Sequence, residues 1–162
     1  MSDVAKPSVL FVCLGNICRS PLAEGVMRAR SATAGLPLFV DSAGTGDWHI
    51  GRPPDPRSIA VARAAGIDIS GRRARQVTAR DFLEFSHMVA MDRSNMADLR
   101  RLSPAGSEAA LSLLLDHTGC APGDRDVPDP YYGGPEGFEH CLALVEAGIA
   151  GLIERLRDQS SG

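Results

Sequence analysis

The sequence predicts a single α/β domain built on a mainly parallel β-sheet. Apolar strand-like runs alternate along the chain with segments of helical periodicity, which is typical of this class. The chain has 162 residues, of which 44% are hydrophobic, and it contains no internal repeat. A chain of this length can bury one well-formed core but is short for two. We therefore expect one domain over residues 1–162, with an ordered core over about 8–158.

Four short apolar runs are the predicted strands. Each is rich in aliphatic residues, and each is followed by a helical segment, so the long crossovers that parallel strands require are present. The runs are residues 9–12, 38–41, 88–91 and 111–115.

Five segments are predicted to be helical from their apolar spacing and their end signals. Gly35 and Gly66 are expected to end the first two, because helices often stop at a glycine. Thr78 and Asp81 have the spacing of a capping box, so a short helix should begin near Thr78. The apolar stripe of the last helix is expected to pack into the core. The other four helices are residues 21–34, 57–65, 94–102 and 137–157.

Two long stretches rich in turn residues, 43–56 and 116–135, are expected to carry function. In an open parallel sheet the ligand binds beyond the carboxyl ends of the strands. The segments that follow the four strands contain Cys13, Ser42, Asp92 and Asp129 in turn. We expect them to meet at one mouth.

The stretch from Cys13 to Ser20 joins the first strand to the first helix and is typical of a phosphate-binding loop. Backbone N–H groups in such a loop, together with the helix dipole, favour a bound anion. The same groups favour the thiolate form of a cysteine at the start of the loop. The planar guanidinium of Arg19 can hold two phosphoryl oxygens at once. A lone cysteine would more often be a core residue, but its spacing to Arg19 favours chemistry.

The spacing Cys-x5-Arg-Ser, with Asn16 inside it and Pro21 after it, resembles the signature loop of the low-molecular-weight protein tyrosine phosphatases. The resemblance implies a four-stranded sheet in the order 2-1-3-4, with helices on both faces. It implies that Cys13 is the nucleophile, that Arg19 clamps the phosphate, and that Asn16 holds the loop open by a hydrogen bond to a serine. The implied phosphate-binding residues are Leu14, Gly15, Asn16, Ile17, Cys18, Arg19 and Ser20.

Two serines are assigned supporting roles. Ser42 matches the serine with which the family's loop asparagine forms its hydrogen bond. Ser20 precedes a proline, so we interpret it as the cap of the first helix, with a hydroxyl that also stabilises the departing thiolate.

Asp129, in an Asp-Pro-Tyr segment, resembles the general acid of the same family. On local sequence alone an Asp-Pro pair is more typical of a turn. The chemistry nevertheless needs an acid, since protonating the leaving oxygen typically contributes about 10²–10⁴-fold. Asp126 is a weaker candidate because it lacks the following Pro-Tyr. Asp92 lies in a stretch that matches the family's Met-Asp-x-Ser-Asn motif, and we interpret it as structural support.

The aromatic residues of the two long loops, Trp48, Tyr131 and Tyr132, are expected to form the substrate rim together with Ile17. For Trp48, simple packing is an equally good explanation. Relatives that hydrolyse phosphoarginine carry threonine where this chain has Ile17, so the resemblance implies a preference for phosphotyrosine.

Two further features concern the surroundings of the phosphate loop: a second cysteine within it, and two arginines near it. Cys18 is expected to trap an oxidised Cys13 as a disulfide, although a small filler residue is nearly as good an interpretation. Around Arg72 and Arg73 many relatives have a histidine close to the phosphate loop, so we expect the support of the loop to differ here.

Composition and motifs exclude several other functions. A net charge of −3 gives no general attraction to nucleic acid or to anionic membranes. No apolar run approaches the roughly 20 residues of a membrane span, and the polar start lacks a signal-peptide pattern; we expect a cytoplasmic protein. The cysteines and histidines have no zinc-binding spacing, and no Walker ending is present. We therefore expect no metal and no cofactor, and solvated or structural histidines.

We predict a metal-independent phosphatase that acts on phosphotyrosine in proteins through a cysteinyl-phosphate intermediate, and we expect a monomer. An arsenate reductase, a protein arginine phosphatase and a non-catalytic phosphate or redox sensor are the alternatives. The arsenate reductases of this fold add a second redox pair of cysteines. Here Cys120 and Cys141 are far apart in sequence, and no closely spaced second pair exists.

Overall fold

The computed structural model describes residues 7–118, 125–131 and 133–161, with side chains up to residue 159. Within these residues the sheet has four parallel strands in the order β2-β1-β3-β4. This confirms the strand order that the sequence resemblance implies. The strands are β1 (Ser8–Cys13), β2 (Phe39–Gly44), β3 (His87–Ala90) and β4 (Ala110–Leu113).

Helices cover both faces of the sheet, as predicted. Helices α1 and α5 pack against one face, and α3 and α4 lie against the other. The helices are α1 (Arg19–Thr33), α2 (Pro56–Ala64), α3 (Asp81–Glu84), α4 (Arg93–Leu102) and α5 (Pro135–Ser161), and a 3₁₀ turn covers Leu114–His117.

The central strand β1 builds both halves of the core, because successive side chains of a strand point to opposite faces. Val9 and Phe11 are fully buried in the cluster formed with α1 and α5. Leu10 and Val12 are fully buried in the other cluster, which contains Leu99 of α4. Burial on both faces explains why this strand is continuously apolar. It also fixes the position of the residues that follow β1.

Several element ends differ from the sequence prediction for local reasons. The last strand stops at Leu113, because Asp116 accepts a hydrogen bond from the Leu113 N–H at 3.1 Å and the chain turns into the 3₁₀ helix. Helix α5 begins at Pro135 rather than at residue 137, a position that suits proline. Near Thr78 only half of the expected box forms: Asp81 accepts from the Thr78 N–H at 2.8 Å, and the helix starts at Asp81.

The first two long helices end as predicted, with Gly35 and Gly66 at φ values of 68° and 82°. Helix α1, however, begins at Arg19, two residues before the predicted start. None of the helices among the described residues combines the length and the hydropathy that a bilayer span requires.

The loops after β1 and β2 lie against each other at the carboxyl end of the sheet. The N–H groups of Thr45 and Gly46 donate to the carbonyls of Cys13 and Leu14, both at 2.9 Å. A Cβ atom at Gly44 would lie 2.7 Å from the Leu14 carbonyl oxygen, so this approach requires glycine. The sheet therefore brings the first predicted functional loop against the second.

Candidate active site

A cleft of about 380 Å³ opens at the carboxyl end of the sheet. A larger cavity of about 530 Å³ lies against the opposite end, near Ser8 and His87, and contains none of the predicted site residues. The smaller cleft brings together the phosphate loop and both long loops. Its lining residues are Cys13, Leu14, Gly15, Ile17, Cys18, Arg19, Trp48, His49, Asp129 and Tyr131.

Cys13 is the last residue of β1, and its side chain forms the base of the cleft. Its sulfur accepts a hydrogen bond from the Asn16 N–H at 3.3 Å and lies 3.0 Å from the Ser20 hydroxyl oxygen. That hydroxyl accepts a hydrogen bond from the Asn16 amide at 2.8 Å, which leaves its own proton free to point to the sulfur. Two donors can therefore stabilise a thiolate at this position.

Ser20 does not cap the first helix, so that part of the interpretation is wrong. Cys18 occupies the cap position, and no side chain caps this helix end. The orphan N–H groups of the first turn are thus left to face a ligand, as in other anion sites at helix N-termini. The Ser20 hydroxyl is directed to Cys13 instead.

Asn16 holds the shape of the phosphate loop. Its φ of 58° is the only positive value at a non-glycine residue in the described chain. Its buried amide donates to Ser20 and, at 3.0 Å, to the Ser42 hydroxyl oxygen. Its carbonyl oxygen accepts from the Arg75 N–H at 3.0 Å. The contact with Ser42 that the resemblance implies is present, and all the polar atoms of the amide have partners.

A buried carboxylate extends this network away from the cleft. Ser42 donates to Glu24 at 2.6 Å, and the Glu24 side chain is only 1% exposed. Two arginines balance its charge: Arg72 donates to it at 2.7 Å, and Arg28 pairs with the same oxygen. A buried carboxylate needs such partners to stay ionised. Removing either arginine would leave the carboxylate paired with the other one.

Arg72 explains why the support of the phosphate loop differs from that expected in relatives with a histidine in this segment. A histidine in this segment would change its charge around neutral pH, whereas a guanidinium stays protonated. Arg73 is exposed and donates only to backbone carbonyls, those of Ser70 and Arg72. The support of the loop here thus includes an ion pair between Arg72 and Glu24.

Arg19 is held in one orientation at the side of the cleft. Its guanidinium is buried, and it donates to Asp92 at 2.6 Å and to the Val127 carbonyl at 2.9 Å. Burial alone would lower the pKa of Arg19, but the negative charges of Cys13 and Asp92 outweigh this and raise it. Asp92 also caps α4 by accepting from the Asn95 N–H at 2.7 Å. One carboxylate therefore fixes both α4 and the guanidinium.

Asp129 also lines the cleft and lies beside Arg19. Its carboxylate is 3.6 Å from the Arg19 guanidinium, and 40% of its side chain is exposed. It accepts a hydrogen bond from the Tyr131 N–H at 3.0 Å. The other candidate acid, Asp126, does not line the cleft and is paired with Arg93. The structure thus brings Asp129, and not Asp126, to the site.

Aromatic side chains surround the mouth of the cleft. Trp48 is 65% exposed, and its ring lies so close to Gly46 that a Cβ there would be 1.9 Å from it. The rings of His49 and Tyr131 are 6.3 Å apart between centroids. The predicted rim residue Ile17 also lines the cleft, whereas Tyr132 lies outside the described residues.

The sequence analysis missed His49 as a cleft residue. Its place beside Trp48 in a long loop was the only available signal, and a lone histidine in a loop carries little information. Elsewhere the structural interpretation of the histidines fits: His117 is buried, its Nε2 lies 2.9 Å from the Ser112 hydroxyl oxygen, and burial lowers its pKa to about 4.

Cys18 differs from Cys13 in its surroundings, although both belong to the same loop. It packs in an apolar cluster with Ile17, Ala74 and Phe138. Burial raises the pKa of Cys18, and nearby negative charges raise it further. It therefore stays a thiol at neutral pH. No group of three or more side chains suited to a metal ion occurs in the part of the chain that the structure describes.

Comparison with known proteins decides the family. The sequence model described as "Low molecular weight phosphotyrosine protein phosphatase" matches residues 8–161. The chain belongs to this family. A family member from Streptomyces coelicolor, a low molecular weight protein-tyrosine-phosphatase, is 49% identical over 158 residues, which cover 95% of this chain and 96% of that protein.

Solved structures of the family agree with the fold. YfkJ from Bacillus subtilis superposes with a TM-score of 0.89 at 39% identity, covering 98% of this chain and 99% of that one. The Drosophila arginine phosphatase DARP superposes with a TM-score of 0.86 at 30% identity, covering 91% and 96% of the two chains. The same scaffold is thus found in relatives named for two different substrates.

Proposed function

We propose that this chain is a metal-independent protein tyrosine phosphatase that hydrolyses phosphotyrosine in proteins through a cysteinyl-phosphate intermediate. The observation that carries the proposal is the cleft itself. Cys13 lies at its base with two donors on its sulfur, and Arg19 and Asp129 stand 3.6 Å apart at its side. Membership of the family supports the same assignment.

In the first step the Cys13 thiolate attacks phosphorus, and the bond from phosphorus to the phenolic oxygen breaks. The N–H groups of residues 14–20 and the guanidinium of Arg19 hold the three other oxygens while negative charge builds up on them. Asp129, in its protonated form, gives its proton to the departing phenolate. Tyrosine leaves, and phosphate stays bonded to sulfur.

In the second step Asp129, now a carboxylate, removes a proton from water as the water attacks phosphorus. The bond from sulfur to phosphorus breaks, and inorganic phosphate is released. The returning negative charge on Cys13 is stabilised by the Asn16 N–H and the Ser20 hydroxyl, which already contact the sulfur. One carboxyl group thus serves as acid first and as base second.

The shape of the cleft favours an aryl ester. The rings of Trp48, His49 and Tyr131 stand at its wall, where they can flank the phenyl ring of the substrate. Phosphoserine has a shorter side chain, which cannot bring its phosphorus to Cys13 at the base. We expect phosphoserine to be a poor substrate.

Phosphoarginine is the second candidate substrate, since one structural relative is named an arginine phosphatase. Ile17 argues against it. This side chain lines the cleft and is 9% exposed. It offers no hydrogen-bond partner to a guanidinium, and each unsatisfied buried donor costs about 1–3 kcal/mol. We therefore propose that phosphotyrosine is preferred.

Ile17→Thr should shift the ratio of kcat/KM toward phosphoarginine by about tenfold or more, because a hydroxyl satisfies one donor. Ile17→Val is the matched control, since valine has the shape of threonine without the hydroxyl. The ratio should stay near the native value in Ile17→Val. A native protein that already prefers phosphoarginine would contradict the argument and the substrate assignment together.

Arsenate reduction is disfavoured on the described cysteines. Cys141 is buried in α5 and does not line the cleft, so it offers no thiol to a substrate bound there. Cys120 lies outside the described residues. Measuring turnover of phosphotyrosine, phosphoarginine and arsenate side by side, with a thiol reductant for arsenate, tests the proposed function. Turnover of arsenate alone would refute it.

We further propose that Cys18 protects the nucleophile. Peroxide oxidises the Cys13 thiolate to a sulfenic acid, and the Cys18 thiol then displaces water to form a disulfide, which an added thiol reduces. After peroxide treatment, thiol should restore most activity of the native enzyme and far less of Cys18→Ala. Each recovery is measured against the untreated activity of the same protein. Equal recovery would show that Cys18 only fills space beneath the loop.

The remaining proposals concern the protein as a whole. We propose that residues 1–162 form one phosphatase domain that works as a cytoplasmic monomer without a cofactor. Its partners are phosphotyrosine-containing proteins, and neither nucleic acid nor membrane is among them. The net charge of −3 supports the last point.

A further inference from the structure

Arg57, near the start of α2, connects the two loops that form the cleft. Its guanidinium makes a two-pronged pair with Asp55, with distances of 3.0 Å from Nε to Oδ1 and 2.9 Å from Nη2 to Oδ2. The same group donates to the Tyr131 carbonyl at 2.9 Å and to the Gly133 carbonyl at 3.2 Å. A planar fork with five N–H donors can make all these contacts at once, which a lysine cannot.

The Asp55 end of this link is anchored to the phosphate loop. The Asp55 N–H donates to the Ile17 carbonyl at 2.8 Å, and its buried carboxylate caps α2 by accepting from the Arg57 N–H at 2.8 Å. Hydrogen bonding from the Arg57 side chain lowers the pKa of Asp55 despite its burial. The pair is therefore fully charged at neutral pH.

The Tyr131 end of the link is next to the proposed acid. The Tyr131 N–H orients the Asp129 carboxylate at 3.0 Å, and the Tyr131 carbonyl is the group that Arg57 holds. The other end of this segment is fixed independently, because the Val127 N–H donates to the Met91 carbonyl at 2.8 Å and Arg19 donates to the Val127 carbonyl. Asp129 thus lies on a short span that is tied at both ends.

We propose that Arg57 is a positioning residue for Asp129, holding the acid at a fixed distance from the phosphate loop. This proposal rests on the proposed function. Proton transfer requires the acid to lie within hydrogen-bond reach of the leaving oxygen, about 2.6–3.2 Å. Without Arg57, Asp129 can still donate a proton but is no longer held at a fixed position. In the first step, the loss should matter only when the leaving group needs a proton.

A purely structural role predicts a different result. The Arg57 guanidinium also lies over the Phe138 ring, 4.5 Å from its centroid, and this contact helps to pack α2 against α5. Loss of packing alone would lower the folded fraction. It would slow all substrates by the same factor.

The test measures kcat/KM, which reports the steps up to release of the phenol, for a series of aryl phosphates whose phenols range from acidic to weakly acidic. Arg57→Met should slow phosphates of weakly acidic phenols by about tenfold or more, and those of acidic phenols little, because only the former need the proton. In an Asp129→Ala background, Arg57→Met should cause no further change in this dependence. Arg30→Met is the matched control, since Arg30 makes a similar two-pronged pair with Glu146 between α1 and α5. It should leave the series unchanged.

Equal slowing across the series, or the same effect with and without Asp129, would overturn the role of Arg57. Inhibition by inorganic phosphate should be unchanged in Arg57→Met. If inhibition is weaker and all substrates are slowed equally, Arg57 acts on the phosphate loop instead, and the proposal is also overturned. If Arg57→Met does not fold, Arg57→Lys decides by the same criterion. A wild-type protein inert toward every aryl phosphate would refute the proposed function itself, whereas an active wild type with an unaltered Arg57→Met series refutes only this inference.

Discussion

Cys13→Ser should abolish turnover, with a loss on the order of 10⁴-fold or more, as when other enzymes lose a covalent nucleophile. The serine hydroxyl is a far weaker nucleophile than a thiolate at neutral pH. The fold should persist, because the change is nearly isosteric and the Asn16 N–H and the Ser20 hydroxyl can still hydrogen-bond the new oxygen. Steady-state kinetics and calorimetric titration with inorganic phosphate check the two halves of this expectation.

The matched control is Cys141→Ser, which makes the same chemical change at another buried cysteine. Cys141 packs in the core cluster and does not line the cleft. This variant should lose some stability and keep near-native turnover at a temperature where it is folded. Substantial turnover by Cys13→Ser would refute the assigned nucleophile, and loss of phosphate binding would show that the sulfur also shapes the loop.

Asp129→Ala should slow phosphotyrosine by about 10²–10⁴-fold, the usual contribution of a positioned acid. In kcat/KM, which reports the steps up to release of the phenol, esters of acidic phenols should be slowed much less, since their phenolates leave without a proton. Kinetics over a leaving-group series measure the difference. The contrast distinguishes loss of the acid from general damage to the site.

Asp126→Ala is the control for this prediction. Asp126 lies three positions before Asp129 in the chain but pairs with Arg93 outside the cleft. Its removal should leave the leaving-group dependence unchanged. If Asp129→Ala slows all esters equally, or if Asp126→Ala produces the signature expected of Asp129, the acid has been assigned to the wrong residue.

The position of the main catalytic candidates was predictable because each follows a strand or lies in a loop with a distinctive motif. Cys13 and Arg19 belong to one short motif, and parallel strands bring their ends to one edge of the sheet. The assignment of Asp129 needed the resemblance, since its local sequence is more typical of a turn. The strand order likewise came from the resemblance, because apolar runs alone do not say which strands are neighbours.

Two charged residues that support the site, Glu24 and Arg57, were not predicted, because their partners are distant in sequence. Glu24 meets Arg72 across 48 positions, and Arg57 meets the Tyr131 carbonyl across 74. Nothing in the local pattern distinguishes these charges from solvated surface charges. The cap assigned to Ser20 failed for a related reason: helix α1 begins at Arg19, so the hydroxyl is already inside the first turn and faces the sulfur.

The central claim, that phosphate passes through Cys13, is tested most directly by trapping the intermediate. Asp129→Ala is mixed with a phosphate ester of an acidic phenol and quenched rapidly, because the first step is then fast while the loss of the base slows the second. Peptide mass spectrometry locates the phosphate. The account predicts phosphate on Cys13, absent from Cys13→Ser treated in the same way. Turnover without phosphate on Cys13, or with phosphate on another residue, would contradict it.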